Sequence, residues 1–138
     1  MKLPGPDHPI TLEPSRQRVR AAFQQHVIAD TDDAIVLREA GHPPVYYFPM
    51  QDVEMSFLAR TDHRTHCPYK GDASYWSVYM DGELGENAVW GYETPYPAVA
   101  AVRGRVAFDA KAVEVYEIDE EGRHRAPTFG ADAGRQIP

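Results

Sequence analysis

Hydrophobic and polar positions alternate along much of the chain, a period of two that marks strands whose two faces meet different surroundings. "RVRAAF" sets Val19, Ala21 and Phe23 against Arg18 and Arg20, and "HVIAD" and "DAIVLRE" read as two strands joined by an acidic turn from Asp30 to Asp33. "PPVYYFP" is a short apolar strand bracketed by prolines. The period then changes, and Met50, Val53, Phe57 and Leu58 fall on one face of a single short helix ending near Ala59. Further strands are expected over "ASYWSVYM", "NAVWGYE", "GRVAFD" and "AVEVYEI", with turns at "DGELGE" and "TPYP" and one helical turn over "AVAAV". Frequent turns and short strands predict a mainly β domain built from antiparallel sheets. Residues 1–118 form this single domain, including an extended N-terminal segment, and 119–138, charged and then rich in Gly, Ala and Pro, read as a flexible tail.

Composition narrows the picture. A chain of 138 residues can bury one substantial core, and 43% hydrophobic residues with two Trp, eight Tyr and five Phe exclude global disorder. No apolar run is long enough to span a membrane, and the opening "MKLPGPDHP" lacks the apolar segment of a secretory signal, so a cytoplasmic location is expected. Cys67 has no partner in the chain for a disulfide, which agrees with a reducing compartment. A net charge of −7 argues against general affinity for nucleic acid or for anionic membranes, both of which require a basic footprint.

Against that acidic background, Arg60, Arg64 and Lys70 with His63 and His66 make one basic stretch, read as a loop, which also holds Cys67. Gly71 can take positive φ there and turn the chain into the strand beginning near Ala73.

The motifs "YYFP", "TDHRTHCPYKGDASYWS" and "NAVWGYETPYPAVAAVRGRVAF", in that order, resemble the family catalogued as domain of unknown function 427, from about His8 to Ile118. The resemblance implies a β-tent fold, two antiparallel sheets meeting at an angle, similar to methionine sulfoxide reductase B and the thalidomide-binding domain of cereblon. It implies no established activity. Many β-tent relatives hold a structural zinc through two cysteine pairs, which a chain with one cysteine cannot do. The family is also catalogued as nucleotidyltransferase-like, but the one candidate for holding Mg2+, Asp30, Asp32 and Asp33, sits where a hairpin turn is expected, and Asp is a turn residue.

Several readings of the 60–76 region remain. Cys67 is a candidate nucleophile if basic neighbours favour its thiolate, and Lys70 is the other candidate catalytic residue. Asp62, His63, His66 and Cys67 are metal-ligand types, but "HxxHC" is not a known ligand spacing, and adjacent His66 and Cys67 point apart in extended chain; no metal or other cofactor is expected. A pocket for a small anionic molecule fits best: Arg64, His66 and Lys70 hold the anion, and Tyr47, Tyr75, Trp76, Trp90 and Tyr92 supply an apolar wall. Alternation allows only one of Tyr75 and Trp76 to line it, whereas Trp90 and Tyr92 share a face. Small-molecule binding is therefore the expected role, ahead of an enzyme acting through Cys67 or Lys70 and of a protein-interaction module; homo-oligomer formation stays open.

Overall fold

The computed structural model describes residues 1–119, Gly122 and 124–125. Its strands are β1 (Ile10–Pro14), β2 (Arg18–Phe23), β3 (His26–Thr31), β4 (Ile35–Glu39), β5 (Val45–Pro49), β6 (Leu58–Cys67), β7 (Gly71–Met80), β8 (Glu83–Tyr92), β9 (Arg105–Phe108), β10 (Glu114–Ile118) and β11 (His124–Arg125). They form a seven-stranded sheet in the order β1-β4-β5-β9-β8-β7-β6 and a four-stranded sheet in the order β11-β10-β2-β3. The architecture is mainly β, with two antiparallel sheets and no closed barrel. Among the described residues no helix is long and apolar enough to cross a membrane. The tail expected from Asp119 lies, apart from Asp119, Gly122 and the β11 pair, outside the described residues.

Tight turns set two of the hairpins. Gln24 and Gln25, with φ of 49° and 68°, close β2 onto β3, and Asp81 and Gly82, with φ of 54° and 78°, close β7 onto β8. Two consecutive left-handed residues match the twist of the strands they join. The acidic turn after β3 is different. It is a corner and not a hairpin, because β3 belongs to the small sheet and β4 to the large one.

Three further expectations change. The helix expected over Met50–Ala59 takes the form of two 3₁₀ turns, Met50–Asp52 and Met55–Phe57. Val53 between them is extended and bridges Ala29, and the Glu54 N–H donates to the Ile28 carbonyl, so β3 captures the backbone that a continuous helix would need. The basic stretch is not a loop: β6 runs through it to Cys67. Finally, "ITLEP" is a strand, β1, that the proline-rich opening concealed.

Alternation gives the large sheet two different cores. One face packs Phe48, Trp76, Val78, Val89 and Phe108 against Val19, Ala21, Phe23 and Ile28 of the small sheet. The other, here called the inner face, gathers Tyr47, Tyr75, Trp90 and Tyr92 with Leu37 and Val45. It is covered by Val99 and Val102 of the 3₁₀ segment Pro97–Val102, and Ile10 and Leu12 of β1 and Cys67 of β6 pack on it. β1 and β6 are opposite edges of the sheet, so it curls until its margins approach. The first residues of the chain bind the seam: the Lys2 N–H donates to the Pro68 carbonyl at 2.7 Å, and the His8 ring stacks on Tyr69 at 3.9 Å.

Candidate functional site

Lys70 follows directly on the turn after β6, and Gly71, at φ +112°, reverses the chain into β7. A β-carbon at Gly71 would meet the Thr94 carbonyl at 3.3 Å, so glycine suits both the dihedral and the close approach. The reversal drives Lys70 under the seam, where its side chain is 1% exposed and its Nζ donates to Glu39 Oε1 at 2.8 Å. Glu39 Oε2 accepts from His8 Nε2 at 2.6 Å. Burial alone would raise the Glu39 carboxyl, but the bond and charge of Lys70, with help from His8, hold it below the ordinary carboxylate range.

Hydrogen-bond donors outnumber acceptors in this cluster. The ammonium has three N–H donors, of which Glu39 takes one, the others having no hydrogen-bond acceptor among the described residues, and the Tyr92 ring centroid lies 5.9 Å from Nζ. Tyr47 Oη accepts from Trp90 Nε1 at 3.3 Å, and its own proton has no acceptor among the described residues. The Tyr92 hydroxyl is buried and has no hydrogen-bond partner among the described residues. Burial pushes both phenols well above the usual tyrosine range, and Glu39, Cys67 and Tyr75 lie near enough to act on both electrostatically. These phenols therefore remain protonated donors at neutral pH. Tyr75, also raised by burial, shares a hydrogen bond with Thr65 Oγ1 at 2.9 Å. A cleft of about 340 Å³, whose lining includes His8, Glu39, His42, His66, Cys67 and Tyr69, opens along the seam.

The remaining predicted residues go elsewhere, and β6 is the reason. Once the stretch is a strand, Cys67 packs on the inner face while Arg64 turns to the opposite one. There a larger, open cleft of about 720 Å³ is lined by Arg64, His66, Asp72, Ser74, Glu93 and Thr94. Thr65 and His66, between Arg64 and Cys67 in sequence, line both clefts. Arg60 binds Glu93 through two nitrogens, at 2.9 and 2.5 Å, and its guanidinium lies 5.7 Å from the Trp76 ring centroid. Hydrogen bonds from Arg60 and Ser74 keep the Glu93 carboxyl below its ordinary range.

Of the predicted residues, then, the structure brings Tyr47, Tyr75, Trp90, Tyr92, Cys67 and Lys70 to the inner face. Trp76 belongs to the core between the sheets. Arg64 and Lys70 stand on opposite faces instead of converging on one anion. Sequence reasoning missed Glu39, His8, Tyr69 and Glu93. Glu39 left one signal: it shares the parity of Ile35 and Leu37, so a charge recurs at an inward position of β4.

Two of the three carboxylates in the acidic run are taken within the protein. Asp30 accepts from Arg18 at 2.7 and 2.9 Å and from Arg20 at 3.1 Å, and Asp33 from Arg105 at 3.2 Å. Among the described residues no three His, Cys, Asp or Glu side chains are grouped to hold a metal ion.

Comparison with curated proteins finds no match. A family model described as a domain of unknown function, DUF427, matches residues 11–119, a span that holds the outer cleft and all of the seam cleft's lining except His8. On that match, over most of its length, the chain belongs to the DUF427 family.

Proposed function

We propose that this protein binds a small molecule at the inner face, seating a carbonyl or carboxylate oxygen of that molecule against Lys70 and Tyr92. One observation carries the reading: the inner face buries a tyrosine hydroxyl without a partner among the described residues, and an ammonium with donors to spare lies 5.9 Å from the centroid of that tyrosine's ring. An unpaired buried polar group costs on the order of 1–3 kcal/mol, so a fold keeps one at a loss unless something completes it. The ligand class follows from the donor surplus, because an oxygen acceptor is what the cluster lacks. Tyr47, Tyr75 and Trp90 supply the apolar surroundings of such a site. The seam cleft, whose lining includes Cys67 and Glu39, the partner of Lys70, supports entry from that side, and we place the protein in the cytoplasm on the strength of its lone, disulfide-free cysteine.

Half-buried Cys67 lines the same cleft, which supports a second reading in which it attacks the bound molecule. Native mass spectrometry of the purified protein, with thermal denaturation in acetate, oxalate and pyruvate, tests binding. An adduct lost on denaturation, or stabilisation by a carboxylate that Tyr92→Phe abolishes, supports it. Absence of both, or stabilisation that Tyr92→Phe leaves intact, overturns it. Slow alkylation of Cys67 at neutral pH would remove the second reading.

A further inference from the structure

Two irregularities in neighbouring strand pairs coincide at the outer cleft. In β6, Arg60 stands opposite Trp76 and Arg64 opposite Ser74, so residues 61–63 face Tyr75 alone. In β8, Val89 stands opposite Trp76 and Gly85 opposite Val78, so residues 86–88 face Ser77 alone. The two bulges are tied together: Thr61 Oγ1 donates to Asn87 Oδ1 at 2.7 Å, and the Asn87 N–H donates to Ser77 Oγ at 2.9 Å. Asn87 holds φ at 50°, in the left-handed region that Asn tolerates better than most residues.

The consequence falls on the arginines. Residues four apart on a regular strand are about 13 Å apart, whereas cross-strand partners two apart are separated by about 7 Å. The bulge thus gathers Arg60 and Arg64 onto one spot, where both guanidinium groups donate to Ser74 Oγ. Bulges are a recurrent means of re-aiming side chains at functional sites.

The gathered groups are not equally committed. Arg60 is clamped to Glu93 through two nitrogens, and Ser74 Oγ donates to Glu93 Oε1 at 2.5 Å. Arg64 gives one bond to Ser74 and stands 3.9 Å from Glu93. Most of its five N–H donors therefore face the cleft with no partner among the described residues. Beside it, His66 Nδ1 is 2.6 Å from Asp72 Oδ1. A carboxylate only accepts, so Nδ1 carries the proton and Nε2 is the ring nitrogen left over.

We infer that the outer cleft is a second binding site, separate from the inner face, in which Arg64 seats a compact oxyanion, carboxylate or phosphate, with His66 at its side. Arg60 and Ser74 hold Glu93 in place, and Glu93 sets the strength of the site: its charge beside the seat keeps affinity modest and salt-dependent. A fork of guanidinium donors suits either anion.

Isothermal titration calorimetry at low ionic strength, with inorganic phosphate and separately with malonate, tests this. Saturable binding is expected for at least one of them, weakened about tenfold in Arg64→Gln, the scale of one charge-assisted hydrogen bond. Arg64→Lys, which keeps the charge but loses the fork, is expected to fall between. Glu93→Gln is expected to tighten binding severalfold, and Tyr92→Phe, which alters only the inner face, to leave it unchanged. No saturable binding of either anion overturns the inference, as does affinity that is the same in Arg64→Gln as in wild type. Loss in Tyr92→Phe with retention in Arg64→Gln would assign the anion to the inner face instead.

Discussion

Tyr47 and Phe48 are neighbours on β5, both fully buried, and each belongs to a different core. Phe48 meets Phe108 edge to face at 5.2 Å in the layer between the sheets, where nearly every side chain is hydrocarbon. Tyr47 lies among hydroxyls, an indole N–H and a buried ion pair. The first core is the kind that close packing alone explains. The second buries polar atoms that packing does not require, and one of them is unpaired. Two faces of one sheet, made by the same alternation, thus differ in kind: one packs mostly hydrocarbon, and the other buries polar groups at some expense to stability.

That contrast can be attacked from its strongest side. Lys70→Met leaves the buried Glu39 carboxylate with His8 alone, and a loss of about 3 kcal/mol is expected in urea denaturation. The double variant Lys70→Met/Glu39→Leu is expected to recover most of it, since replacing a buried pair with apolar side chains is often neutral. If the double variant is as unstable as the single one, the ion pair is structural after all. Phe48→Ala, in the dry core, is expected to cost about 3–5 kcal/mol with no comparable rescue, because what it leaves is a cavity.

The pH dependence should separate the faces next. Glu39 is held below its ordinary range in the folded protein, so its contribution is present above the unfolded carboxyl value, about pH 4, and is lost as pH falls through the folded one. Tyr47 and Tyr92 shift the other way. Their contribution is present below the unfolded phenol value, about pH 10, and is lost as pH rises toward the folded one. Denaturation across pH should therefore show an alkaline decline that Tyr47→Phe and Tyr92→Phe blunt, and an acid decline that Glu39→Gln reduces.

The smallest effect is the most diagnostic. Tyr92→Phe removes a hydroxyl that makes no bond, so stability at neutral pH should be unchanged or raised by up to about 1 kcal/mol, measured by thermal denaturation. A clear loss would mean that the hydroxyl has a structural partner, and the contrast between the cores would weaken.

Much of this was legible in the chain. The alternation around Tyr75 and Trp76 put them on opposite faces, and they do fall in different cores. Trp90 and Tyr92, two apart, do share one. The turn at Gly71 was legible from glycine alone. What misled was the density of charge in "TDHRTHC", which reads as loop but is an edge strand with a polar exposed face. Such a strand carries no apolar alternation, because only one of its long sides is paired and little of it is buried.

Local chemistry, then, determined the period of the strands, the tight turns, the single cysteine and the basic cluster, since each depends on residues near one another in the sequence. Only the tertiary structure decided that the cluster would be split by a strand, that two bulges would gather Arg60 and Arg64, and that the sheet would curl. It also decided the partner of Lys70. Glu39 lies thirty-one residues away on a different strand, and their meeting depends on the closure of a sheet whose edges no short-range pattern brings together.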